Sequence, residues 1–202
     1  MRTLFIIKAP TDQSLRRQQY VSSLIILGHP NFEKSVANKT IIEELQNSDL
    51  DIEVRHIEKM YADYRIDVRA EQMSILRHKT IVLQYPVYWY NMPGILKHWF
   101  DVVFDYQFAY GRNGDKVKSK NLLPSFTLGS SEGKYNALGD HHFRVYEFCK
   151  NLEQSAYYTQ MNYIDPIYFH GTFVTADATK DQVRNKAKEH GHRLIARLTE
   201  LE

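Results

Sequence analysis

Residues 80–104 read Thr-Ile-Val-Leu-Gln-Tyr-Pro-Val-Tyr-Trp-Tyr-Asn-Met-Pro-Gly-Ile-Leu-Lys-His-Trp-Phe-Asp-Val-Val-Phe, and the fold turns on how this stretch divides. Thr80 to Tyr85 is an apolar run of strand length. Met92 to Phe104 has helical spacing, and Pro93 is tolerated in a first helical turn, where its missing N–H costs nothing. A short apolar run passing into a helix is the signature of a parallel sheet covered on both faces. Between the two lie Tyr85, Tyr88, Trp89 and Tyr90, rings crowded at the mouth of a strand.

The same alternation extends in both directions. Ser23 to Leu27 is an apolar run that ends at Gly28-His29-Pro30, and Ser35 to Gln46 is helical, with Val36, Ile41, Ile42 and Leu45 on one face. Asp51 to Ile57 alternates as a strand, and Ala70 to Arg77 reads as a short helix. Asn121 to Leu128 is a third apolar run, weakened as a strand by Pro124. Asp140 to Tyr157 reads as helix, Tyr163 to Phe173 contains a strand, and Lys180 to Leu201 is a long amphipathic helix. Short strands separated by helices predict an α/β fold, a flavodoxin-like doubly wound sheet of five parallel strands in the order 2-1-3-4-5, occupying residues 23–202 as one domain. Residues 1–22 read as an N-terminal extension or arm, with Thr3 to Ala9 a candidate strand and Asp12 to Tyr20 a candidate helix.

At 202 residues, 43% hydrophobic and 25% charged, the chain suits one domain with a full core. The net charge of +2 comes from mixed acids and bases, which argues against a nucleic-acid footprint. Lys116, Lys118 and Lys120 read as a solvated loop. Residues 4–7 are too short for a secretory leader, no apolar run spans a bilayer, and the single Cys149 forms no internal disulfide. The expected location is cytoplasmic.

In such a sheet ligands sit at the carboxyl ends of the strands. The loop from Gly28 opens a helix whose free N–H groups and positive dipole end suit a phosphate, with Ser35 as cap or ligand and His29 as donor. A capped surface helix explains the same residues equally well. At Pro86-Val87-Tyr88-Trp89-Tyr90, a flat apolar floor and backbone N–H groups suit a planar, electron-poor ring. A ring-rich core corner is the plainer alternative, and spacing assigns Trp99 and Phe100 to core. Gly129 and Ser130 permit close backbone approach, and Tyr135 and His141 carry transferable protons. His190 and His192, two apart on a helix, make a poor metal pair, and no metal site is expected.

Taken together, Gln84 to Asp101, Phe108 to Gly111, His29 with Ser35 and Asn38, and Tyr135 with His141 six residues on resemble the flavodoxin-like NAD(P)H:quinone oxidoreductases, a group that includes bacterial drug-activity modulators and the ancillary oxidoreductases of potassium-efflux systems. The resemblance implies a flavin site: His29, Ser35, Val36, Ala37 and Asn38 around the phosphate; Pro86, Val87, Tyr88, Trp89 and Tyr90 along the isoalloxazine; Gly129 and Ser130 at its pyrimidine edge; Tyr135 and His141 at the catalytic end. It implies FMN ahead of FAD, NAD(P)H as cosubstrate, a quinone-like acceptor and a homodimer. A regulatory subunit of a potassium-efflux transporter is the alternative. Leu128 and Ser130 depart from the animal enzymes, which carry a hydroxyl residue and a glycine there.

Overall fold

The computed structural model describes residues 21–175 and 178–202. The proposed strand at Thr3 to Ala9 and helix at Asp12 to Tyr20 lie outside them. Strands β1 (Val21–Leu27), β2 (Ile52–His56), β3 (His78–Pro86), β4 (Asn121–Leu128) and β5 (Asn162–Tyr163) form one parallel sheet in the order β2-β1-β3-β4-β5, and β6 (Ile167–His170) also pairs with β4. This is the flavodoxin-like order that the sequence predicts.

Strand periodicity divides the core. In β1, Leu24 and Ile26 point to one side of the sheet, Ile25 and Leu27 to the other. The second side is covered by α1 (Val36–Gln46) and α6 (Lys180–Leu201), through Ile41, Leu45, Val183 and Leu194. The first is covered by α2 (Ile57–Met60), α3 (Val68–Arg77), α4 (Gly94–Val103) and α5 (Lys150–Tyr158), through Ile57, Ile75, Leu96, Trp99 and Leu152. With helices on both faces, every residue of β4 is buried, as is all of β3 except Lys79. Gly28 lets α4 close against the end of β1, because a Cβ there would lie 2.5 Å from that of Leu96.

On the α3–α4 side sits a closed charged cluster. Glu71 is fully buried, and its carboxylate accepts from Arg55 Nε at 3.0 Å and Nη2 at 2.5 Å, from the Tyr61 hydroxyl at 2.6 Å and from Trp99 Nε1 at 2.9 Å. Four donors offset the cost of taking the charge out of water. Trp99 is core, as its spacing implies.

Four sequence expectations change. Pro124 does not weaken β4: β5 ends opposite Leu122 and β6 begins opposite Ser125, so the proline falls where the neighbouring position is interrupted. The strand expected between Tyr163 and Phe173 is accordingly two short pieces. Residues 140–144 are irregular; only a short 3-10 turn (Val145–Cys149) and α5 follow. Lys120 is buried, with Nζ 2.6 Å from the His78 carbonyl, so it does not belong to a solvated loop.

Candidate active site

The first segment begins where β1 ends. Ser35 caps α1, and its Oγ accepts the Asn38 N–H at 3.0 Å. The N–H groups of Val36 and Ala37, in the first turn, have no acceptor within the helix and form the positive end of its dipole. Buried Asn38 reaches across the sheet: Nδ2 donates to Thr127 Oγ1 at 3.1 Å, and Oδ1 accepts from Gln84 Nε2 at 2.8 Å. His29 is buried, and its Nδ1 accepts the Asn31 N–H at 3.1 Å. Burial, with His56 nearby, pushes its pKa down to about 4. Its proton therefore sits on Nε2, and near neutral pH the ring offers a hydrogen bond rather than a positive charge.

The second segment leaves β3 at buried Pro86. Val87 donates its N–H to the Thr127 carbonyl at 2.9 Å, holding this segment against the end of β4. Tyr88 and Asn91 then exchange backbone hydrogen bonds of 2.9 and 3.1 Å around a two-residue turn. Both residues of the turn are left-handed, Trp89 at φ 48° and Tyr90 at φ 64°. Such turns favour asparagine and glycine, and a bulky ring in this conformation costs of order 1 kcal/mol. Trp89 is also 92% exposed. A strained tryptophan held in solvent does nothing for the stability of the isolated chain.

The third segment folds back over the second. Tyr135 and His141 stack at 4.3 Å with rings 20° apart. Tyr90 meets His141 edge-on at 5.8 Å, with its hydroxyl 3.4 Å from Nδ1. Burial raises the Tyr135 pKa; a hydrogen bond with Ser130 opposes that shift, and the phenol stays protonated as a donor. His141 Nε2 is buried and makes no hydrogen bond among the described residues. Gly129 has a packing reason of its own: a Cβ there would lie 2.4 Å from the ring of Phe173.

Asn38 and Val87 both bond Thr127, and Tyr90 touches His141, so the three segments form one connected edge. Among the described residues, neither of two clefts along this edge joins all three segments. A cleft of about 460 Å³ is lined by Ser35 and Val36 together with Lys34, Lys39 and Arg184, without Trp89 or Tyr135. Another, of about 690 Å³, runs beneath the third segment past Ser131, Tyr168, His170 and Arg193. Sequence reasoning missed Phe148, 5.2 Å from Tyr90, and His170, 5.2 Å from Tyr135. His170 ends β6, so the strand-end rule applied to Gly28 and Pro86 would have found it; nothing in the sequence marks Phe148.

A profile of proteins with a flavodoxin-like fold matches residues 22–194. YrkL of Bacillus subtilis, described as an uncharacterized NAD(P)H oxidoreductase, is 36% identical over 168 residues, 83% of this chain and 94% of its own. KefF of an Enterobacter species, an ancillary protein of a glutathione-regulated potassium-efflux system, is 36% identical over 173 residues, covering 85% of this chain and 94% of its own. General stress protein 14 of Treponema denticola, whose crystal structure is a complex with FMN, superposes with a TM-score of 0.80 at 32% identity, over 90% of this chain and 99% of that one. The chain belongs to this family of flavodoxin-like proteins.

Proposed function

We propose that this protein is a flavin-dependent NAD(P)H oxidoreductase, with FMN ahead of FAD, that passes two electrons from NAD(P)H to a quinone-like acceptor. The residues fit the cofactor. Ser35 and the open N–H groups of Val36 and Ala37 would hold its phosphate, with His29 as a neutral donor. Pro86, Val87 and Tyr88 would line the ring system, and Trp89 and Tyr90 would turn their N–H groups to its heteroatoms. Gly129 and Ser130 would meet its pyrimidine edge. When bound, the flavin supplies the redox chemistry, taking hydride from the nicotinamide and returning it to the acceptor.

The observation that carries this reading is the left-handed Trp89–Tyr90 turn beside the Tyr135–His141 stack. Backbone strain and exposed rings at the carboxyl edge of a parallel sheet are explained by a flat ligand that they are built to receive. Tyr135, protonated, would donate a hydrogen bond at the catalytic end of the cofactor, and His141 would hold or relay a proton there. The test is direct. Purified protein should be yellow, NADPH should bleach it without oxygen, and a quinone should restore the colour. A colourless chain that takes up neither FMN nor FAD rejects the proposal.

The KefF relative favours a second reading, in which the same domain also regulates a membrane transporter. Co-purification with such a transporter separates the two. We further propose a cytoplasmic homodimer. Tyr106 and Tyr158, 58% and 66% exposed, are its candidate contacts, whereas Phe104 and Phe108 are core.

A further inference from the structure

The site residues account for Asn38 but not for what lies behind it. Gln84 is fully buried at the centre of the sheet, where β3 pairs with both β1 and β4, a place that favours an apolar side chain. Its amide is used at both ends: Nε2 donates to Asn38 Oδ1 at 2.8 Å, and Oε1 accepts from Ser125 Oγ at 2.6 Å. Ser125, opposite Gln84 on β4, is also fully buried, and its Oγ lies 2.8 Å from Nε2 of His190, buried on α6.

With the Gln84 amide turned so that Nε2 meets Asn38 and Oε1 meets Ser125, the direction of the whole chain follows. The single Ser125 hydrogen goes to Gln84, so His190 must be the donor in the remaining bond, through Nε2–H. His190 Nδ1 is then a bare lone pair, in keeping with its having no hydrogen-bond partner among the described residues. Every bond runs the same way: His190 to Ser125, Ser125 to Gln84, Gln84 to Asn38, and Asn38 Nδ2 to Thr127 Oγ1 at 3.1 Å. Bonds aligned head to tail reinforce one another.

That direction reaches the site. Asn38 presents Nδ2 toward Ser35, 3.5 Å from Oγ, while its backbone N–H bonds the same oxygen at 3.0 Å. Ser35 therefore receives donors from the protein side and keeps its own hydrogen for a ligand. Reversing the chain would turn Asn38 Oδ1 toward Ser35, where it would compete for that hydrogen.

We infer that Gln84 and Ser125, anchored by His190, are positioning residues that hold the Asn38 amide in the orientation which makes Ser35 a hydrogen-bond donor to the phosphate of the cofactor. The inference rests on the flavin reading above. It explains why a neutral, directional chain crosses the sheet where packing alone would place leucine or valine.

The test compares FMN with riboflavin, which lacks the phosphate, in the full-length protein. Flavin fluorescence quenching gives both dissociation constants for wild type, Gln84→Leu and Ser125→Ala. Loss of one hydrogen bond to a charged group corresponds to about a tenfold change. Both variants should lose about tenfold in FMN affinity, Gln84→Leu the more, with riboflavin affinity changing less than about twofold. Equal losses for the two ligands would mean that the chain merely supports the fold and would overturn the inference. Unchanged FMN affinity in variants of a flavin-binding wild type would overturn the inference alone. A wild type that binds neither ligand would overturn the flavin reading and the inference with it. Should Gln84→Leu fail to fold, Ser125→Ala, which removes a single heavy atom, decides by the same criteria.

Discussion

Two of the buried polar networks among the described residues differ in how they end. On the α3–α4 side, the Glu71 carboxylate is saturated by Arg55, Tyr61 and Trp99, all within the protein. Across the sheet, the chain from His190 through Gln84 to Asn38 ends beside Ser35, whose hydrogen is still available. A closed network can contribute only to stability, at a desolvation cost. An open-ended one prepares a group for something that arrives later. Under the proposed function, the contrast separates polar residues that hold the fold from those that prepare the site.

The largest effect should come from breaking the closed network. Glu71→Ala leaves the Arg55 guanidinium, only 15% exposed, without its principal partner, and should cost about 3–5 kcal/mol in urea unfolding. Flavin affinity of the folded fraction should change less than about twofold. A large loss of affinity at unchanged stability would erase the distinction between the two networks.

Acid should probe the other side next. Burial, with His56 nearby, lowers the His29 pKa to about 4; burial, with Arg193 nearby, lowers that of His190 to about 3. The unfolded chain protonates both rings below about pH 6.5, while the folded chain resists until the lower values. Their contribution is thus complete above pH 6.5 and drains away as the pH falls toward 4. At pH 5 each ring should cost about 1–2 kcal/mol relative to pH 7. His190→Gln, which keeps a donor but does not titrate, should flatten this slope in urea midpoints measured across the range.

At the open edge the effects should appear in turnover and flavin binding, with only small changes in stability. Tyr135→Phe and His141→Gln should each slow acceptor reduction at least about tenfold in stopped-flow turnover, with bound flavin unchanged. Loss of flavin in step with rate would make both residues cofactor holders only. Trp89→Asn, which suits the left-handed turn, should stabilise the flavin-free chain by up to about 1 kcal/mol in thermal unfolding while weakening flavin binding. No gain in stability would mean that the turn is unstrained.

The sequence shows the closed, packed parts of the protein well. Residues 80–104 divide into strand and helix as their periodicity predicts, because burial on both faces forces that pattern. It shows the open edge poorly, because the backbone there departs from what local propensity favours. Nothing in Trp89-Tyr90 announces a left-handed turn. Residues 140–157 read as one helix, yet 140–144 are irregular and Phe143 among them is 61% exposed, so the apolar pattern there has no core to bury against. Gln84 and Ser125 sit inside runs that read as apolar strands, and their partnership depends on a strand register that no local pattern encodes.

Convergence of the three segments on one flavin is tested most directly by amide hydrogen exchange with and without FMN. Binding should slow exchange together in residues 28–38, 87–91 and 129–141. Protection confined to one of these segments, or absent from all three at saturating FMN, would contradict the account.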